Sequence, residues 1–227
     1  MIVRFEGVVI VTRDFVSNGI IETEAAMKTN YVMIDFENVS PENLEELDLE
    51  WVRVYLFLGE NQKKLPVAMV KSMQCMGDRL QFIEISGTGH NALDFHIAYY
   101  IGRIAAEDSD AFFHIVSKDK GFDPLIAHLK QNGVFAHRAD SVAAMPFLTQ
   151  LRAAKSPLKE KVNFIKERFC ELKSTRPRTR KTLASHISAQ FGKVISEEDS
   201  QAVLNGLFAV GFVKEVGKRI IYEDERP

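Results

Sequence analysis

Four aspartates and their neighbours are the residues best suited to chemistry. Asp35 ends the apolar run in "YVMIDFENV", with Glu37 and Asn38 directly behind it. Asp119 and Asp123 lie in "SKDKGFD", two and six residues after the hydroxyl of Ser117, and Asp94 follows Asn91 by three in "NALDFHIAYYIG". Carboxylates gathered in one place repel by about 4 kcal/mol for a pair 4 Å apart at an effective dielectric near 20. Such a cluster calls for a cation. Its donors are all oxygens, with no thiolate and no clear imidazole, which selects a hard ion, Mg²⁺ or Mn²⁺. An ion held this way generates a hydroxide nucleophile and stabilises charge on a phosphate. Asn38 would orient Asp35 or a water, and Ser117 would bond a carboxylate or a phosphate oxygen. Taken singly, Asp94, Asp119 and Asp123 also fit as first-turn or capping acids of helices. Asp35 does not: it follows "VMI" and precedes Phe36, where an unpaired carboxylate is costly.

Whether the acids meet depends on the elements carrying them. "YVMIDF", "VRVYLFLG", "LQFIEIS", "AFFHIVS" and "VFAHRA" read as short strands. Between them, helices are expected over "SPENLEELDL" (Ser40 at the N-cap, Pro41 at N1), "LPVAMVKSMQCMG" ending at Gly77, "NALDFHIAYYIGRIAAED", "FDPLIAHLKQNG" closed by Gly133, and "SVAAMPFLTQL". Strand–helix alternation implies right-handed crossovers and a parallel sheet with helices on both faces. Near-continuous apolar strands agree, since such strands are covered on both sides. Ligands of open parallel sheets bind beyond the carboxyl ends of the strands. That edge collects Asp35, Asp94, Asp119 and Asp123 from three separate loops. His96 and His114 read as packed rather than catalytic, His90 lies in the loop near the acids, and Glu37 and Glu60 are lesser candidates.

Residues 1–30 read either as a hairpin turning at Asn18-Gly19 or as a leader before a working domain that opens near Met27. A boundary is expected near "AAKSPLKEK", where Pro157 starts a new helix. Beyond it Val162, Ile165, Phe169 and Leu172 form a helical stripe. Two more helices follow, the second with Ser196 as N-cap, and the chain closes on two β-like runs around Gly217-Lys218.

The charge divides along the same boundary. Residues 151–227 hold 16 Lys and Arg against 10 Asp and Glu, whereas residues 1–150 hold 13 against 21. Lys173, Arg176, Arg178, Arg180 and Lys181 lie in a stretch free of acids, and Lys214, Lys218 and Arg219 add charge on the terminal hairpin. Clustered cations neutralise phosphates and give salt-sensitive, sequence-independent binding. A cationic companion would offset the repulsion between an acidic catalytic domain and nucleic acid. With 227 residues, 46% of them hydrophobic, the chain can bury a core without staples. Cys75 and Cys170 show no metal or redox spacing and read as plain buried thiols. No signal-like or membrane-spanning run stands out, so the expected location is cytoplasmic.

The motifs "YVMIDFENV", "NALDFHIAYYIG" and "IVSKDKGFDPLIAHLK", in this order over Tyr31–Ala144, resemble the PIN-like nucleases, close to their NYN branch. The resemblance implies an α/β fold, a PIN-like parallel sheet flanked by helices, and a metal-dependent ribonuclease. It implies a metal set of Asp35, Asp94 and Asp119, with Asn38 beside them. Many relatives carry a second acid two residues after the last of these; here that position is Gly121, and the next acid is Asp123. The tail resembles small winged-helix units. The expected organisation is an extension over 1–30, a PIN-like nuclease domain over 31–152 and a winged-helix-like basic domain over 153–227. The function expected is metal-dependent endoribonuclease acting on RNA, free of membranes, with a homodimer left open. The alternative is a non-catalytic nucleic-acid-binding adaptor with a degenerate nuclease fold.

Overall fold

The computed structural model describes residues 10–12, 25–87, 89, 91–172 and 175–223. The chain divides into two compact units, Met1–Met145 and Pro146–Pro227.

In the first unit, β1 (Ile10–Thr12) and β2 (Ala25–Met27) pair antiparallel, with Ile10 opposite Met27. The Asn18-Gly19 turn lies outside the described residues. The main sheet comprises β3 (Asn30–Asp35), β4 (Val52–Leu58), β5 (Leu80–Glu84), β6 (Phe112–Val116) and β7 (Phe135–Ala139), in the order β5-β4-β3-β6-β7. Every neighbouring pair is parallel. The chain builds outward from β3 to β5, then crosses back to lay β6 on the other side of β3. The two halves diverge between β3 and β6, the point where such sheets open a crevice at their carboxyl edge. All five residues of β6 are buried, which accounts for its unbroken apolar run.

The helices are α1 (Val67–Met73), α2 (Ala92–Glu107) and α3 (Phe122–Gln131). Leu93, Ile97, Ile101 and Ile104 form the buried stripe of α2 and pack with Met33, Tyr55, Phe57 and Phe113 of the sheet and Phe122 and Ile126 of α3. Because α2 connects β5 to β6, its N-terminus lies at the carboxyl edge. A Schellman motif closes α3: Gly133 (φ 79) donates to the Lys130 carbonyl and Val134 to that of Leu129.

Three expected helices differ. The one over "LPVAMVKSMQCMG" is α-helical only to Met73 and goes on as the 3₁₀ turn Gln74–Arg79, past the non-helical Gly77. "SPENLEELDL" forms only the 3₁₀ turn Leu44–Leu47, and Ser40 caps nothing. Asn43 takes a left-handed conformation (φ 59) that interrupts an α-helix, while Leu44 and Leu47, three apart, eclipse on the buried side of a 3₁₀ turn. "SVAAMPFLTQL" is split. Ser141 caps the 3₁₀ turn Val142–Ala144, and Met145 is extended (ψ 131) because it precedes a proline. Then α4 (Pro146–Lys155) opens the second unit.

That unit continues with α5 (Leu158–Glu171), α6 (Arg180–Gln190), α7 (Glu197–Ala209) and the antiparallel hairpin β8 (Val213–Val216) and β9 (Arg219–Tyr222). Val162, Ile165 and Phe169 of α5 meet Leu183 and Ile187 of α6, Val203, Leu204 and Leu207 of α7, and Val213 and Ile220 of the hairpin. Ser196 accepts from the Asp199 amide, capping α7. Both cysteines are exposed rather than buried. Cys170 follows Phe169 directly on α5, so it is turned off the Val162–Ile165–Phe169 stripe; Cys75 sits in the 3₁₀ turn Gln74–Arg79. Among the described residues no helix is long and apolar enough to cross a membrane.

Candidate active site

Asp35 is the last residue of β3 and has no exposed surface. Its carboxylate is fully engaged. Oδ1 accepts from the backbone amides of Glu37 (3.1 Å) and Asn38 (3.2 Å). Oδ2 accepts from the Asn38 side-chain amide (2.7 Å) and the Ser117 hydroxyl (2.7 Å). Four donors fill the four lone-pair positions of a carboxylate, which offsets the cost of burying it. Ser117 follows β6 directly, so this bond crosses the divergence between the two halves of the sheet.

Ser117 Oγ also accepts from the Asp119 amide (3.0 Å), joining Asp119 to the same hub. The Asp119 carboxylate turns back and accepts from the Gly121 amide at 2.7 Å. A Cβ on Gly121 would lie 3.1 Å from that oxygen. A side chain at this position would make the Asp119 carboxylate give way by a few tenths of an ångström. Asp94 lies half-buried in the first turn of α2, next to the buried Leu93.

Asp123 takes another partner. Arg138, on β7, donates through Nε to Asp123 (2.8 Å) and through its other arm to Asp140 and the Ser117 carbonyl. The Asp123 bond, ahead of the Asp140 bond, raises the Arg138 pKa above its usual value. The structure thus brings Asp35, Asn38, Ser117 and Asp119 together and ties Asp123 to a cation. Among the described residues no three Asp, Glu, His or Cys side chains form a metal-holding group.

Glu37 lies over Gly59, where a Cβ would fall 1.8 Å from its Oε1. Gln62 braces the turn behind Asp35, donating to the Phe36 carbonyl (2.7 Å) and accepting from the Gly59 amide (2.9 Å). Glu60 is exposed at the end of β4. His90 lies outside the described residues. The His96 Nδ1 lies 2.7 Å from the Ala92 carbonyl. His114 is fully buried, and burial pushes its pKa down to about 3.

This geometry sits on a stretch with a recognised family. Residues 29–139 form a PIN-like domain, matching the family model of the PIN domain. No curated protein and no solved structure gives a significant match to the chain. PIN domains form a nuclease superfamily, so nucleic acid is the partner class this domain implies. Lys118 and Lys120, both exposed, flank Asp119 in the PIN-like domain. Sequence reasoning passed over them and Arg138, although "SKDK" sets bases on both sides of an acid and "HRAD" places one two residues before an acid.

In the second unit the eight expected cations divide, and Lys214 pairs with Glu223 at 3.0 Å. Lys173 lies outside the described residues. Arg176 is structural: its Nε donates to the Phe169 carbonyl (2.6 Å) and its guanidinium stacks 5.0 Å from the Tyr222 ring. Arg180 bonds Asn205, lies 3.7 Å from Glu215 and covers the Phe208 ring. Arg178, Lys181, Lys218 and Arg219 are exposed. The Ile220 amide donates to the Arg178 carbonyl (2.9 Å), which sets residue 178 beside β9. By contrast, α7 opens with Glu197, Glu198 and Asp199 and carries no Lys or Arg.

Proposed function

We propose that the chain is a metal-dependent endoribonuclease whose PIN-like domain hydrolyses RNA phosphodiester bonds. The observation that carries this is Asp35, a wholly buried carboxylate at the divergence of the sheet, held by Asn38 and by Ser117 from the far strand. A buried acid so placed, with Asp119 bound to the same serine, stands at the edge where open parallel sheets bind their ligands.

The donor types are all oxygen, the kind Mg²⁺ or Mn²⁺ takes, although among the described residues these side chains do not stand as one metal-holding group. Asp35, Asp94 and Asp119 are the residues that would hold the ion. When bound, it would supply an activated water and offset charge on the phosphate. To hold an ion Asp35 would have to release one of its four hydrogen bonds, and that of the exposed Asn38 side chain is the one water would most readily replace. Ser117 holds Asp35 in place, and Lys118 and Lys120 attract the phosphate. The second unit serves as a winged-helix-like RNA grip through Arg178, Lys181, Lys218 and Arg219; Arg176 and Arg180 shape it from behind.

A non-catalytic nucleic-acid-binding adaptor is the second reading. Two observations favour it: protein donors already saturate Asp35, and Arg138 neutralises Asp123. Incubating the protein with labelled RNA or DNA in Mg²⁺, Mn²⁺ or chelator, beside Asp35→Asn, separates the two. Cleavage of RNA that needs both the metal and Asp35 is expected. RNA bound but uncut under every metal condition would establish the adaptor, and cutting by Asp35→Asn at the wild-type rate would remove the site.

A further inference from the structure

Beyond the carboxyl ends of β4 and β5 lies an open cavity of about 490 Å³. This is within the usual size range of small-molecule pockets. The Gly59–Gln62 turn forms one wall and adjoins Phe36 and Glu37, directly behind Asp35. Strands lie about 4.8 Å apart, so the cavity is one to two strand spacings from Asp35, within reach of a nucleotide neighbouring the one at the acids.

The lining combines four kinds of group. Phe82, on the edge strand β5, exposes 45% of its surface and offers a flat apolar face. Leu65 and Ile85 extend the apolar floor, Glu60 and Glu84 supply two exposed carboxylates, and Lys63 supplies one cation. Two carboxylates repel a phosphate, so the backbone of a nucleic acid is not what enters. A base fits: unpaired bases stack on aromatic side chains and bond through their Watson–Crick edges. The acids then choose among the bases. Guanine turns two adjacent donors, N1–H and N2–H₂, toward a carboxylate, and its O6 accepts from a lysine. Uracil shows one N–H between two carbonyl oxygens that face the acids unfavourably. Adenine and cytosine each offer one amino donor beside a ring acceptor.

We propose that this cavity is a base subsite that selects guanine in the RNA strand, a reading that rests on the nuclease function above. Phe82 stacks the base, Glu60 and Glu84 accept from its N1–H and N2–H₂, and Lys63 donates to O6.

The test uses the full chain carrying Asp35→Asn and fluorescence anisotropy with oligouridine ten-mers bearing one central G, A, C or U. The G oligomer is expected to bind about tenfold more tightly than the U oligomer, since a good bidentate base contact discriminates at this level. The pair Glu60→Gln/Glu84→Gln should reduce that ratio to about twofold or less. Phe82→Ala should weaken all four oligomers. Equal affinity for the four, or a preference for G that survives the double substitution, overturns the proposal. Wild-type cleavage of RNA with equal binding of the four oligomers defeats the subsite alone. A preference for G without cleavage under any metal condition upholds the subsite and defeats the nuclease. Failure of every oligomer to bind defeats both.

Discussion

The sheet seam that carries Asp35 and Ser117 is fastened at its other end by a histidine, and acid should loosen it there. His114 of β6 is wholly buried and lies 2.7 Å through Nε2 from Asn30 Oδ1, on β3. Burial first, and His137 second, push its pKa from 6.5 to about 3. The folded ring stays neutral over a range in which the unfolded chain's ring takes up a proton. Its stabilising contribution is therefore intact above pH 6.5 and is lost progressively as pH falls toward 3. One pH unit within that window costs about 1.4 kcal/mol, so the step from pH 7 to pH 5 costs about 2 kcal/mol. For a unit of this size that lowers Tm by roughly 4–8 °C. The sole tryptophan, Trp51, accepts the Asn30 amide through its carbonyl at 2.8 Å, so its fluorescence reports this unit. Thermal unfolding is followed at pH 7, 6 and 5 for wild type and for His114→Gln, which cannot titrate and keeps an N–H donor for Asn30. The wild type should lose about 2 kcal/mol more than the variant over that span. A gap between the two proteins that is the same at pH 7 and pH 5 would refute the reasoning.

Other substitutions separate the roles of the site residues. Asp35→Leu leaves two part-buried amides and the buried Ser117 hydroxyl without their acceptor and should cost about 2–4 kcal/mol in urea unfolding, whereas Asp35→Asn keeps an acceptor and should cost less than half as much. Arg138→Met removes the bonds to Asp123, Asp140 and the Ser117 carbonyl; because both acids are more than half exposed, the loss should be about 1 kcal/mol and should shrink in high salt. Alanine at Arg178, Lys181, Lys218 and Arg219 together should reduce the slope of log affinity against log salt for single-stranded RNA by about 3, read by anisotropy in the Asp35→Asn background. Arg176→Ala should instead leave the slope unchanged and lower the melting temperature of the second unit, because that arginine is held by Phe169 and Tyr222.

The parallel sheet was legible because β3, β4 and β6 are near-continuous apolar runs and all five strands alternate with turn or helix patterns. The position of Asp35 followed from the same pattern, since its place after "VMI" puts it at the end of a covered strand. What the sequence left hidden were relations between distant residues. Nothing near Asp123 announces that Arg138, on the next element, takes it as a partner. Nothing in "KSTRPRTRK" separates Arg176, which turns inward, from Arg178, which does not. The 3₁₀ turn at Leu44–Leu47 was missed because local acids and a proline suggested an α-helix, while the left-handed Asn43 and the leucines three apart decided otherwise.

The strand order has a consequence for when the site can exist. Asp35 enters early in synthesis, but the strand that completes its pocket is fourth of the five in the sheet, and the serine that bonds it comes 82 residues later. A chain still emerging from the ribosome, or one cut short before Ser117, has the acid without its far wall. The assembled pocket thus marks a chain that has laid down at least four of the five strands, and no shorter fragment can hold Asp35 between both of its walls.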